Sequence, residues 1–480
     1  MRINTVTGLS AVLLLLVMAV AVTIVTAVAA KLNPPPVGAK PQGLNYLERR
    51  QNIIVSQLVD DATARQGFAI EEPVILPAEG VPVPGETRKF RTLSDNLLNS
   101  LHYYYRLPDD ASSSEFVYKW DSKTGGKLTS DARLFALEHD VNYLLSLEIY
   151  RSLHPVALFD EDLQYMRQKV DDIFAQDWHT VQESPLGVYF DLMELYNFTK
   201  NEKYLQYAER YAGGDGPDDT QTPLVKARNF AIMFQRDVPR QASPVYFYYA
   251  ALLSDWASRH DETMAAQANA LFKGLMEFLY DNRFRILYIR VSTETGGNTS
   301  VRNITETYNT LDQLTAIDAI LEYYKSSGNP EALSLARAIM RGVYGTDSVL
   351  VQKAPEEVGE NKFYGIYTTY DHGREAWRFE SDEATMDHIL LFCDIVKLNS
   401  ATRGEYRDDI EFLTSWLENS GPMYDQYANG YYASYEKDWT VPEDGKWILS
   451  KAAIWMSKAL IEDDLYKYEQ SQVITPPNAP

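Results

Sequence analysis

The sequence predicts an all-α fold, an (α/α)6 toroid of six helical hairpins with short β-ribbons in the long loops on one face. Three observations predict it: two alternating sets of helices, their spacing, and a loop asymmetry. The first set is apolar almost all round, over 131–152, 185–199, 243–260, 306–326, 381–398 and 445–462. Helices of that texture are buried on most sides. The second set is amphipathic, over 92–106, 160–174, 201–211, 261–280, 329–344 and 405–417. The apolar helices start 54, 58, 63, 75 and 64 residues apart. Connections from an apolar helix to the next amphipathic one are short, such as Lys200 or Ser327-Gly328. The return connections are mostly long: 281–305, 345–380 and 418–444. A toroid places all the long loops on one face, where binding sites usually lie.

Taken in order, the elements support this. Residues 9–30 are uncharged and mostly apolar, with Arg2 before and Lys31 after, long enough to span a bilayer. The length favours an anchor, but Ala27-Val28-Ala29 could still serve as a signal cleavage site, so residues 1–30 are an anchor or a signal segment. Either way the body is expected outside the cytoplasm. Residues 31–90 read as a Pro-rich stalk carrying one helix, 44–66. The toroid is expected over 91–465. The helix at 92–106 closes the ring against the last apolar helix, and 466–480 is left as a disordered tail. In the helix at 160–174, Leu163, Met166, Val170 and Ile173 form one stripe with charges elsewhere. Asn329-Pro330 reads as an N-cap followed by proline at the first helical position. Phe284 to Ile289 and Tyr431 to Tyr435 read as β-ribbons.

Composition narrows the function. The formal net charge of −22 argues against nucleic acid, because phosphate binding rests on Lys/Arg neutralisation. The lone Cys393, in an apolar helix, excludes internal disulfides and multi-cysteine zinc sites and reads as a packed thiol. No His/Cys cluster of zinc spacing and no phosphate-binding glycine loop appears, so no metal or cofactor is expected. Gly125-Gly126 and Gly296-Gly297 are turn signals.

The stretch 310–324 (Thr-Leu-Asp-Gln-Leu-Thr-Ala-Ile-Asp-Ala-Ile-Leu-Glu-Tyr-Tyr) is followed by 329–337 (Asn-Pro-Glu-Ala-Leu-Ser-Leu-Ala-Arg). This alternation resembles the six-hairpin glycosidase and sugar-epimerase folds, over roughly residues 91–465. The resemblance lies in architecture and texture, with no catalytic motif that maps residue by residue. It implies carbohydrate chemistry in the funnel at one end of the ring.

The long-loop face collects residue types that suit sugars. Flat aromatics match the C–H faces of a sugar, and charged or amide groups match its hydroxyls. Trp120, Trp178, Trp377, Trp439 and Trp447 are candidates for stacking. Tyr370 and His372 join them, with Arg374 and Arg378 to hold a hydroxyl or carboxylate. Glycoside hydrolysis needs two carboxyl groups flanking the bond. Glu306, Asp312, Asp371 and Asp382 are the candidates for acid and base. Each also fits a structural role: Asp382 as a helix cap, Asp312 as a buried acid needing a partner. Glu138-His139-Asp140 sits mid-helix and points in three directions, so each is expected to be paired separately. The leading expectation is an extracytoplasmic carbohydrate-active protein, a glycoside hydrolase. The alternative is a non-catalytic glycan-binding or scaffold protein on the same fold, tethered to the membrane.

Overall fold

In the computed structural model of the chain, the described residues are 93–474, less the connecting stretches 109–110, 113, 122–125, 132, 155–158, 176–185, 214–221, 236–240, 297–298, 354–362, 379–380, 421–422, 426–428 and 434–446. The segments 1–30 and 31–90 therefore lie outside them. Among the described residues no helix is long and apolar enough to cross a membrane.

The helices are α1 Leu93–Tyr104, α2 Arg133–Leu153, α3 Asp160–Ala175, α4 Gly187–Thr199, α5 Glu202–Gly213, α6 Pro223–Gln235, α7 Phe247–Arg259, α8 Thr263–Leu279, α9 Thr310–Ser327, α10 Pro330–Tyr344, α11 Ser381–Ala401, α12 Arg407–Ser415 and α13 Ser450–Ile474. Six of them form a closed inner ring. In this ring α2 packs on α4, α7 on α9, α9 on α11, α11 on α13, and α13 back on α2. The step from α4 to α7 is made by side chains: Phe190 stacks on Tyr248, and Tyr189 donates to Asp255. Each inner helix carries an outer partner, α3 on α2, α5 on α4, α8 on α7, α10 on α9, α12 on α11 and α1 on α13. This is the six-hairpin toroid, closed by the N-terminal outer helix as the helix order predicts.

Local chemistry explains both rings. On outer helix α10, Ala332, Leu335, Ala336, Ile339, Met340 and Val343 are buried and form one stripe. Asn329 caps α10, its side chain accepting from the Glu331 N–H at 3.0 Å, with Pro330 in the first turn. Gly328 ends α9 at φ +66°, a left-handed turn that glycine adopts without a Cβ clash, so the α9–α10 link needs only two residues.

The sequence reading departs from the structure at three places. Helix α6 was not anticipated, although Leu224, Ala227, Ala231 and Phe234 are buried at helical spacing. It fits between α5 and α8 on the outside of α7. Gly274 of α8 admits Phe234 there, since a Cβ would lie 2.6 Å from the ring. Second, several inner helices start later than expected because a strand leads into them. Thr307–Asn309 precedes α9, and Trp447–Leu449 precedes α13. Third, α13 runs to Ile474, nine residues past the expected end of the toroid, so 466–474 are helical rather than tail.

The long-loop ribbons are short antiparallel pairs. Ile286–Leu287 pairs with Tyr280–Asp281, and Gly430–Tyr431 with Tyr424–Asp425. Glu115–Asp121 pairs with both Lys127–Asp131 and Trp447–Leu449, tying the two ends of the toroid together. Thr307–Asn309, Thr369–Asp371 and Ala376–Arg378 make a further sheet on the loop face.

Candidate active site

Parallel inner helices leave a space along the ring axis, and here it is a cavity of about 320 Å³ with side chains from all six of them. Near the helix starts its wall is largely apolar: Phe135, Leu186, Val245, Leu311 and Leu314. Deeper in, it becomes charged. Five carboxyl groups line it (Glu138, Asp191, Asp318, Asp394, Glu462) against three lysines (Lys397, Lys451, Lys458). Trp455 and Tyr248 supply aromatic surface.

Beneath the cavity the charges interlock. Lys458 bonds Glu194 at 2.7 Å, with Asp191 at 3.6 Å and Glu462 at 3.8 Å. Lys397 bonds Asp318, with Glu194 at 3.6 Å and Glu322 at 3.7 Å. Lys325 bridges Glu322 at 2.7 Å and Glu194 at 3.0 Å. Below this layer is a second cavity of about 290 Å³, and Lys397 and Glu462 line both. The layer is thus a floor between two spaces.

The floor sorts its carboxyl groups by protonation. Burial pushes the Asp191 carboxyl up to about 7, with Lys458 opposing and Glu194 reinforcing the shift. Asn142 donates to Asp191 at 2.9 Å and fixes its position. Burial also works against Asp318, but the charge and hydrogen bond of Lys397 and the Tyr248 hydroxyl overcome it and hold Asp318 below the usual range. Asp394, one turn before Lys397 on α11, is raised well above the usual range by burial and by the neighbouring Asp318 charge. Glu194 is held low, because its three lysines outweigh its burial. Two carboxyl groups on one cavity, one ionised and one titrating near neutrality, are the pair that acid–base chemistry needs.

The residues predicted from sequence gather elsewhere. Asp371, Tyr370, His372, Arg374, Trp377 and Arg378 lie on the loop-face sheet, none lining the axial cavity. Arg283 is their hub: it pairs with Asp281 at 3.0 Å, contacts His372 Nε2 at 3.0 Å, and has Glu306 at 3.8 Å. Tyr370 is buried between Tyr308 and Trp377, which leaves no face for a sugar. Trp377 stays 47% exposed and donates its indole N–H to the Val349 carbonyl. Asp371 caps the turn His372–Arg374, accepting from the Arg374 N–H at 3.2 Å.

Other candidates need correction. Trp120 is 0% exposed and stacks on Tyr104 at 5.3 Å, so it belongs to the core that ties the ring and cannot stack on ligand. Asp312 sits in the first turn of α9, where its N–H bonds the Asn309 cap. The cavity-facing stripe of α9 is Leu311, Leu314, Thr315 and Asp318 instead. Trp447 is half-buried in a strand paired with Asp121. Trp178 and Trp439 lie outside the described residues, as does the side chain of Asp382, whose backbone opens α11.

Glu138, His139 and Asp140 are separately paired, as expected. Glu138 meets Lys451 at 3.2 Å at the cavity wall. His139 bonds the Phe135 carbonyl, and burial lowers its pKa to about 3. Asp140 is buried with Lys169 and the Tyr105 hydroxyl. Cys393 lines the cavity with its thiol against the Trp455 carbonyl, and burial pushes its pKa up.

The floor residues carry a signal of their own. Asp191 and Glu194, Asp318 and Glu322, Asp394 and Lys397, and Lys458 and Glu462 are charged pairs three or four apart, on four inner helices. That spacing puts each pair on one helix face.

No family model and no curated protein matches the chain. Solved structures that it resembles include an unsaturated glucuronyl hydrolase specific for heparin, at 11% identity and TM-score 0.49, covering 78% of this chain and 98% of that one. Others are the GH76A α-1,6-mannanase from Salegentibacter sp. HEL1_6 (13%, TM-score 0.47, 78% and 98%) and a family 76 glycoside hydrolase (mannosidase) from Bacteroides thetaiotaomicron (11%, TM-score 0.46, 79% and 98%).

Proposed function

We propose that the axial cavity is the active site of a carbohydrate-active enzyme of glycoside hydrolase type. One observation carries the reading: Asp191 and Asp318 line the same cavity and hold their protons differently. Asp191 is the general acid. Near neutral pH it can both give its proton to the leaving glycosidic oxygen and regain one. Ionised Asp318 either takes a proton from the attacking water or attacks the anomeric carbon itself. Burial and the neighbouring Asp318 charge push the Asp394 carboxyl well above its usual range, which favours its protonated form. Trp455 and Phe135 offer flat apolar faces to a sugar ring. We further propose an extracytoplasmic location, on the strength of the apolar stretch 9–30.

A second reading has its own support. Each cavity lysine has a carboxylate within 4 Å, as in a purely structural plug. A non-catalytic glycan-binding protein would look the same at this floor.

The pH dependence of hydrolysis by the full chain, on a panel of oligosaccharides and aryl glycosides, separates the two. The enzyme reading expects turnover whose kcat/KM falls about tenfold per pH unit above about 7, as Asp191 loses its proton. The acid limb lies below the usual carboxylate range, because Asp318 stays ionised there. Asp191 also bears on stability, with a definite sign. Its pKa is raised on folding, so stability is fully present below the unfolded value and declines as pH rises towards about 7. Circular dichroism at each pH distinguishes lost catalysis from lost fold. No turnover on any substrate, with glycan binding retained, would favour the non-catalytic reading.

A further inference from the structure

The cavity is asymmetric in a way that catalysis alone does not require. Its three lysines are all engaged, Lys397 with Asp318, Lys451 with Glu138 and Lys458 with Glu194. Its carboxyl groups are not. Asp394 is 3% exposed and lines the cavity, yet its Oδ2 accepts no hydrogen bond among the described residues. A buried acceptor left unsatisfied is costly, and a ligand that satisfies it recovers that cost. Each lysine that lines the cavity already has a carboxylate partner, which leaves the lining no cation to offer a ligand. An anionic group would meet no unengaged lysine among the described lining residues. A hydroxyl could bond Asp394 but brings no charge to a lining of five carboxyl groups and three lysines. An ammonium group supplies N–H donors and a positive charge together.

We infer that the axial cavity selects a sugar bearing a protonated amine, with the ammonium seated on Asp394. This rests on the carbohydrate reading of the same cavity and narrows it to a substrate class. Asp318 from α9, Asp191 from α4 and Asp394 from α11 line this one cavity. Asp394 acts here as a specificity residue, apart from the acid–base pair.

Titration calorimetry on the full chain tests this at about 0.15 M salt, where charges beyond ~8 Å are screened. The probes are a glucosamine oligomer, its N-acetylated counterpart, an oligogalacturonate, and putrescine as an amine without a sugar. The expected result is at least about tenfold tighter binding of the glucosamine oligomer than of the acetylated one, as for one charge-assisted hydrogen bond. The uronate should bind weakest. Asp394→Asn, nearly isosteric with the protonated acid, should erase the preference while the acetylated oligomer binds as before. If the acetylated oligomer or the uronate binds as tightly as the amine, the inference falls and the carbohydrate reading stands. A preference that survives in Asp394→Asn also overturns it. If only putrescine binds, dependent on Asp394, the ammonium seat stands and the carbohydrate reading falls. Binding of none of the four overturns both.

Discussion

The loop-face cluster around Arg283 and the floor of the axial cavity hold the same residue types in opposite surroundings. Both combine acids, bases and aromatics at short distances. At the loop face several of the charged groups meet solvent: Arg374 is 74% exposed, and Arg283 lies over Phe284 with its guanidinium partly in water, although its partner Asp281 is buried. At the floor, Lys458 and Glu322 are nearly enclosed, and several lysines and acids sit within one interlocked layer. Water levels the first set and leaves each pair worth little. The second set cannot be levelled, so its protons and charges must be distributed by the protein itself. The residue types expected of a sugar site thus mark the loop face, whereas the cavity acids Asp191 and Asp394, raised by burial, lie on the axis.

That contrast can be strained from both sides, beginning with the largest effect. Lys458→Met leaves Glu194 without its shortest partner and removes the counter-charge facing Asp191 and Glu462. Breaking a buried ion pair on one side costs about 3–5 kcal/mol, so denaturant unfolding should show a loss of that order. A loss under about 1 kcal/mol would mean that the floor is wetter than described. Arg374→Ala, on the loop face, should move stability by no more than about 0.5 kcal/mol, as for exposed side chains generally. A loss of several kcal/mol there would erase the distinction between the two regions.

Much of the ring was legible because its causes are local. The stripe Ala332, Leu335, Ala336, Ile339 reports an outer helix whatever surrounds it, and Asn329-Pro330 marks its start. The strand Thr307–Asn309 was not legible as such. It is a strand because Thr369–Asp371 pairs with it, a partner some sixty residues away along the chain. Glu306 and Asp312 were drawn into the prediction by that misplaced helix start. The start of α9 at Thr310 leaves Glu306 in the loop and Asp312 in the capped first turn. Trp120 failed for a different reason. An aromatic beside a loop suits a ligand or a core equally well, and only the Tyr104 ring settles which. The floor was legible in principle, in the paired charges of four inner helices. Which pair holds a proton depends on how close the lysines of neighbouring helices come, and the one-dimensional pattern does not contain those distances.

The proposed chemistry lies on the axis and not at the loop face. Turnover by Asp318→Asn and Asp371→Asn, measured side by side on one hydrolysed substrate with folding checked by circular dichroism, tests it most directly. The account predicts a loss of about 10²–10⁴-fold in kcat for Asp318→Asn, the usual contribution of a positioned acid or base. For Asp371→Asn, which changes only a turn cap on the exposed sheet, it predicts a rate within about threefold of the parent, less than a single such interaction contributes. A folded Asp318→Asn variant with full turnover, beside an inactive Asp371→Asn, would contradict it.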